Sequence, residues 1–120
     1  MNENPCTFFE VIATNQQAID AFYSKVFGWK SEAGGSGGLY IKFAETVPMR
    51  GLIGQAMPSY AGNYAGVLFY IQVESLEATL ERVIAAGGAK MMSPTELDGY
   101  RFALFTDIEG NRVGIIEPYE

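Results

Sequence analysis

The sequence predicts an α+β fold built on an internal repeat, and three observations carry that reading. Two segments with a strand's two-residue alternation, Phe8–Asn15 and Leu68–Ser75, each run directly into a segment of helical periodicity. The second pair follows the first by 60 residues, half of the 120-residue chain. Short strand-like runs then follow each helix. Duplication on this scale is the mark of supersecondary units that pack together to bury a shared core.

In the first helix Ile19, Phe22, Tyr23 and Val26 form an apolar stripe. Thr14-x-x-Gln17 has the form of a capping box, and Gly28 is a stop. In the second helix Leu76, Leu80, Val83 and Ile84 repeat the stripe, with Ser75 as N-cap and Gly87-Gly88 as the stop. The strand-like runs are Leu39–Phe43 and Gly51–Met57 in the first half. In the second they are Ala89–Met92, Tyr100–Thr106 and Arg112–Glu117. Asp107-Ile108-Glu109-Gly110-Asn111 reads as a hairpin turn, with Gly110 suited to a positive φ. The glycine-rich segment Ala33–Gly38 reads as a loop opening a strand. It does not follow a strand and open a helix, so it is not a phosphate cradle. Pro58–Gly66 reads as a linker between the halves.

Alternation sorts the strand residues into two faces. Phe9, Val11, Ala13, Phe69, Ile71, Val73, Val113 and Ile115 form a wholly apolar set, assigned to the helix-packed core. The opposite set is mixed: Phe8, Glu10, Ile12, Leu68, Tyr70, Gln72, Arg112, Gly114 and Ile116. Such a face is either solvated or lines a cleft.

Composition narrows the function. A net charge of −6, with eight scattered basic residues, disfavours nucleic acid, whose affinity rests on Lys and Arg neutralising phosphates. The longest apolar runs, such as Val67–Ile71, are too short to span a bilayer, and the first residues have no basic-then-apolar signal pattern. Cys6 is the single cysteine and has no partner for an internal disulfide, which suits a reducing cytoplasm. The chain contains no histidine, which removes the commonest general acid–base and the commonest zinc ligand.

Phe22-Tyr23-x-x-Val26-Phe27-Gly28-Trp29, Ala85-Ala86-Gly87-Gly88 and the run Gly99-Tyr100-Arg101-Phe102-Ala103-Leu104-Phe105-x-Asp107-x-Glu109-Gly110-Asn111-Arg112-Val113-Gly114 together resemble the vicinal oxygen chelate superfamily, which holds the glyoxalases and bleomycin-resistance proteins. The resemblance covers nearly the whole chain and is weakest from Gly34 to Gly62. It implies one domain over residues 1–120: a βαβββ module at about 5–57, a linker at 58–66 and a second βαβββ module at about 67–118. The two modules would form a mixed sheet curled around a cleft. In metal-using members the ligands fall at positions that match Phe8, Leu68 and Gly114 here, with a fourth somewhere in Leu52–Gln55. None of the first three has a side chain able to bind a metal, so the resemblance implies the fold without a metal site or other cofactor. Single-domain relatives commonly pair, which implies a homodimer.

The candidate ligand-binding residues are therefore those of the mixed face: Phe8, Glu10, Leu68, Tyr70, Gln72 and Arg112. Phe8 and Leu68 would give an apolar floor, and the polar members would orient a ligand. Glu10 is a candidate general base or partner for a cationic group; the alternative is a solvated acid or an ion-pair partner of Arg112 or Lys42, the commoner role of a single carboxylate. Trp29 reads as packing after the first helix, and Cys6 as inert. Three functions stay open: metal-independent binding of a small aromatic or cationic molecule, a metal-free isomerase or lyase with Glu10 as base, and a regulatory or partner-binding module.

Overall fold

The computed structural model describes residues 3–120. The first module is β1 (Cys6–Ala13), α1 (Gln16–Phe27), β2 (Ser31–Ala33), β3 (Leu39–Ile41) and β4 (Arg50–Gln55). The second is β5 (Gly66–Gln72), α2 (Leu76–Ala85), β6 (Ala89–Leu97), β7 (Tyr100–Thr106) and β8 (Arg112–Ile116). All eight strands join one mixed sheet in the order β2-β3-β4-β1-β5-β8-β7-β6. The two opening strands, β1 and β5, pair antiparallel at its centre, with Phe9 opposite Phe69 and Glu10 opposite Leu68. Each opening strand runs parallel to the closing strand of its own module: β1 to β4 and β5 to β8.

Local chemistry sets the ends of the elements. Gly28 terminates α1 at φ 72°, donating its N–H to Ser24 O at 2.8 Å. Ser75 Oγ accepts from Ala78 N at 3.1 Å and starts α2. The cap of α1 is Asn15, whose Oδ1 accepts from Ala18 N, and not the expected Thr14. The helix begins at Gln16, so Asn15 and not Thr14 stands at the cap position; the Thr14 carbonyl accepts from Gln55 Nε2 at 2.7 Å. In the turn before β8, Asp107 Oδ1 accepts from the N–H groups of Glu109 and Asn111, and Gly110 sits at φ 85°. The sequence reading did not anticipate β2, which pairs with β3 around the Gly34–Gly38 turn. It also left unread the tight β6–β7 hairpin at Asp98-Gly99, where both residues have positive φ.

Two apolar clusters lie on opposite faces of the sheet. Beneath α2, Val73, Leu76, Leu80, Ala103 and Ile115 form a buried core, as the alternation predicts. The concave face, expected to be mixed, is the larger cluster: Phe8, Ile12, Leu68, Tyr70, Leu104 and Ile116 are all buried. The sheet curls far enough that this face packs partly on itself. The assignment of Phe69 to the helix-packed core is corrected: Phe69 is 45% and its neighbour Val67 66% exposed. α1 contacts β1 and β4, and α2 contacts β6 and β7, so the outward side chains of β5 fall in the gap between the helices. α1 buries none of its residues; Phe22 and Val26 of its stripe stay exposed, while Tyr23 stacks on Trp29 at 5.0 Å. Trp29 in turn packs against Phe9 and Phe43.

Candidate functional site: an aromatic cleft around Glu10

The curl brings the two ends of the sheet together. Asp98 in the β6–β7 hairpin accepts from Ser36 Oγ, from Ser36 N at 3.1 Å and from Tyr40 OH at 2.7 Å. These bonds hold the Asp98 carboxyl below its usual pKa, with the Ser36 hydroxyl contributing most. The concave face beneath this closure holds a cavity of about 500 Å³. Phe8, Tyr40, Tyr60, Tyr70, Tyr100 and Phe102 supply aromatic walls, and Glu10 is the one acidic or basic side chain in the lining among the described residues.

Glu10 and Tyr70 are the chemical centre. Tyr70 OH donates to Glu10 Oε1 at 2.8 Å across a sequence separation of 60, so the two groups occupy equivalent positions in the repeat. The same offset relates the glycines beside them, Gly54 on β4 and Gly114 on β8. A Cβ at Gly54 would sit 2.7 Å from Glu10 Oε2. At Gly114 it would lie within the Tyr70 ring, with Cγ 2.7 Å away and two ring atoms nearer. The absence of a side chain at these two positions of the closing strands therefore makes room for the pair. Burial drives the Glu10 pKa above the usual carboxylate value; the Tyr70 hydrogen bond and the charge of Arg112 oppose the rise only in part. Desolvation and the neighbouring carboxylate push the Tyr70 hydroxyl well above the ordinary phenol value.

Of the six residues singled out from sequence, Phe8, Glu10 and Tyr70 share this cavity. Leu68 lies on the same face but packs inside the buried cluster, away from the lining. Gln72 is one strand-end further along and lines a second groove. Arg112 does not reach the lining. Its Nη1 donates to Gly62 O at 2.8 Å and Tyr64 O at 2.7 Å, and its guanidinium lies 4.0 Å from the Tyr64 ring centre. Arg112 thereby holds the 57–64 segment, most of it within the Pro58–Gly66 stretch expected only as a linker, as one wall of the cavity. Lys42 pairs with Glu32 and not with Glu10.

The positions matched to metal ligands form no donor set. Phe8 and Leu68 are buried among apolar side chains, and the Tyr70 ring covers Gly114. The register of β4 puts Leu52 and Gly54 on the concave face, beside Glu10 and Ile12, while the Gln55 side chain turns to Thr14 O and Gln16 N. Among the described residues, no three His, Cys, Asp or Glu side chains converge. One carboxylate engaged with a tyrosine does not fit a transition metal's coordination shell.

The model of the glyoxalase-like domain matches residues 7–116. A glyoxylase-like domain-containing protein of Didymella fabae is 32% identical over 108 residues, covering 85% of this chain and 84% of that protein. The chain is also 30% identical to the protein CFP32 of Mycobacterium tuberculosis, of whose length it spans 41%. Among solved structures, a glyoxalase/bleomycin resistance protein/dioxygenase superfamily member from Vibrio splendidus 12B01 superposes with a TM-score of 0.62 at 13% identity, covering 92% of this chain and 97% of that one. Methylmalonyl-CoA epimerase from Mycobacterium tuberculosis superposes at 0.68 with 11% identity, covering 96% and 88%. These last two likenesses speak for the fold alone. With a family match over nearly its whole length, the chain belongs to the glyoxalase-like domain family, within the vicinal oxygen chelate superfamily.

Proposed function

We propose that this protein binds a small aromatic or cationic molecule in its cleft without the help of a metal. The observation that carries the reading is Glu10: a single desolvated carboxylate set in a cavity whose other walls are mostly aromatic and aliphatic. A cation placed there would restore the electrostatic support that burial takes from the carboxylate. The tyrosine faces would add cation–π attraction of about 0.5–2 kcal/mol. Benzyltrimethylammonium is a suitable probe, carrying both an aromatic ring and a permanent charge. It is expected to raise the thermal midpoint at pH 7 and to lose that effect as Glu10 protonates in acid. A midpoint that the probe leaves unmoved at millimolar concentration at pH 7 would refute the reading.

A second reading, a metal-free isomerase or lyase, is favoured by one specific feature. A carboxylate with a raised pKa and a hydroxyl partner is suited to take a proton from carbon near neutral pH. The structural likeness to an epimerase is compatible with this at the level of fold. Solvent-deuterium incorporation next to the carbonyl of a bound substrate, lost in Glu10→Gln, would identify it.

We also propose a homodimer through the convex face. Phe22, Val26 and Phe27 on α1, with Val67 and Phe69 on β5, leave this side exposed and apolar. Light scattering at micromolar concentration is expected to give twice the monomer mass, and Phe69→Glu to give the monomer. A wild-type monomer under those conditions would end this proposal and leave the cleft reading intact.

A further inference from the structure

The second groove lies beyond the end of the Glu10 cavity, under the 42–49 segment between β3 and β4, and encloses about 650 Å³. Tyr40 and Tyr100 line both spaces, and their rings stack at 5.9 Å and 23°. At the groove sits Arg50, the first residue of β4. Its guanidinium lies 4.7 Å from the Tyr119 ring centre, and Nη1 donates to Tyr100 OH at 2.8 Å. Among the described residues it has no carboxylate partner, in a chain whose net charge is −6. Glu45 is the one acid in the groove's lining and makes no ion pair with it.

Two further groups in the same lining have unused hydrogen-bonding capacity. The Thr7 hydroxyl is buried and has no partner, although the Thr7 carbonyl accepts from Tyr119 OH at 3.0 Å. The Gln72 side-chain amide makes no hydrogen bond among the described residues. Buried polar groups are almost always paired, with protein, water or ligand, so the unpaired Thr7 hydroxyl, in the same lining as a guanidinium that has no carboxylate partner, marks a place where a polar ligand group is accommodated. The planar fork of N–H donors on arginine matches a carboxylate in particular.

We propose that this groove is a binding site for a small organic carboxylate. The acid group would pair with Arg50, and an aromatic or aliphatic body would lie against Tyr119 and the apolar residues of the 42–49 segment. Glu10 lies outside this groove's lining, although Tyr40 and Tyr100 form a wall common to both spaces. Opposite charges at the two spaces give each its own selectivity: anions are disfavoured beside Glu10 and attracted by Arg50.

Benzoate is the probe, followed by NMR shifts of the Gln72 side-chain amide and by calorimetry. Benzoate is expected to bind and to shift Gln72; benzyl alcohol, with the same ring and no charge, is expected to bind at least tenfold more weakly. Arg50→Gln should weaken benzoate at least tenfold, while Arg50→Lys, which keeps the charge but not the fork, should retain part of the affinity. Glu10→Gln should leave benzoate binding and the Gln72 shift in place. Circular dichroism and the thermal midpoint establish that each variant is folded. Inorganic phosphate binding as tightly as benzoate would overturn the proposal by showing a general anion patch. Benzoate binding kept in folded Arg50→Gln, or lost in Glu10→Gln, would overturn it by placing the probe elsewhere.

Discussion

Replacing Glu10 with glutamine is expected to stabilise the ligand-free protein near pH 7 and, at the same time, to weaken binding of benzyltrimethylammonium. Burial raises the carboxyl pKa, so the folded chain holds this proton more tightly than the unfolded chain does. Between the ordinary value of 4.5 and the raised one, stability therefore falls as pH rises, and above both values the cost of the buried charge is fully present. Glutamine has no charge to desolvate, and its Oε1 still accepts from Tyr70 OH. The gain should be about 1 kcal/mol, or about 4 °C in Tm, at pH 7, and should disappear below about pH 4. The same change removes the one charge that attracts a cation, and affinity should fall at least tenfold. Stability and binding moving in opposite directions is the signature of a group kept for its ligand and not for the fold. A variant less stable than the parent at pH 7, with the probe still bound, would mean that Arg112 stabilises the charge more than burial costs it.

The repeat, both module-opening strands, both helices and the stops at Gly28 and Gly87 were legible because each rests on local chemistry. Alternation also put Phe8, Glu10 and Tyr70 on one face. What alternation does not carry is curvature. It sorts side chains into two sets but gives no measure of how far a sheet bends, so it could not show that the mixed face holds the larger buried cluster. Nor does it fix position along a cleft: Gln72 and Arg112 share a face with Glu10, yet one lies at the far groove and the other behind the 57–64 wall. An apolar stripe such as that on α1 normally means coverage. Here only part of the stripe is covered within one chain.

Tyr100 and Phe102 were missing from the sequence-based site because the curl brings them in from an outer strand. One signal was present: Asp98-Gly99 between alternating segments marks a two-residue hairpin, which would have defined the β6–β7 turn that clamps Ser36 and Tyr40. The pairing of Asp98 with Ser36 has no local signature. It joins residues 62 apart that only the closed curl brings together.

The two glycines beside the Glu10–Tyr70 pair should respond differently to the same substitution. Gly114→Ala places a methyl group into the Tyr70 ring, which is boxed edge-on by Phe8 at 5.7 Å and Phe102 at 6.0 Å. A rigid ring packed on both sides cannot swing away without disturbing the concave cluster. Overpacking of this kind costs about 1–3 kcal/mol, and the upper end is expected here, a fall in Tm of about 10 °C by thermal denaturation. Gly54→Ala meets only Glu10 Oε2, the far end of a flexible side chain. The carboxylate can rotate aside, and alanine also recovers part of the conformational penalty of glycine in a strand. Stability should stay within about 1 kcal/mol of the parent, while the displaced carboxylate loses its bond to Tyr70 and affinity for the cationic probe drops severalfold. One position would then report on the fold and its repeat-related twin on the site. Equal losses of stability at both would mean that the Glu10 carboxylate is held as firmly as the Tyr70 ring, and that the asymmetry inferred between the two modules is wrong.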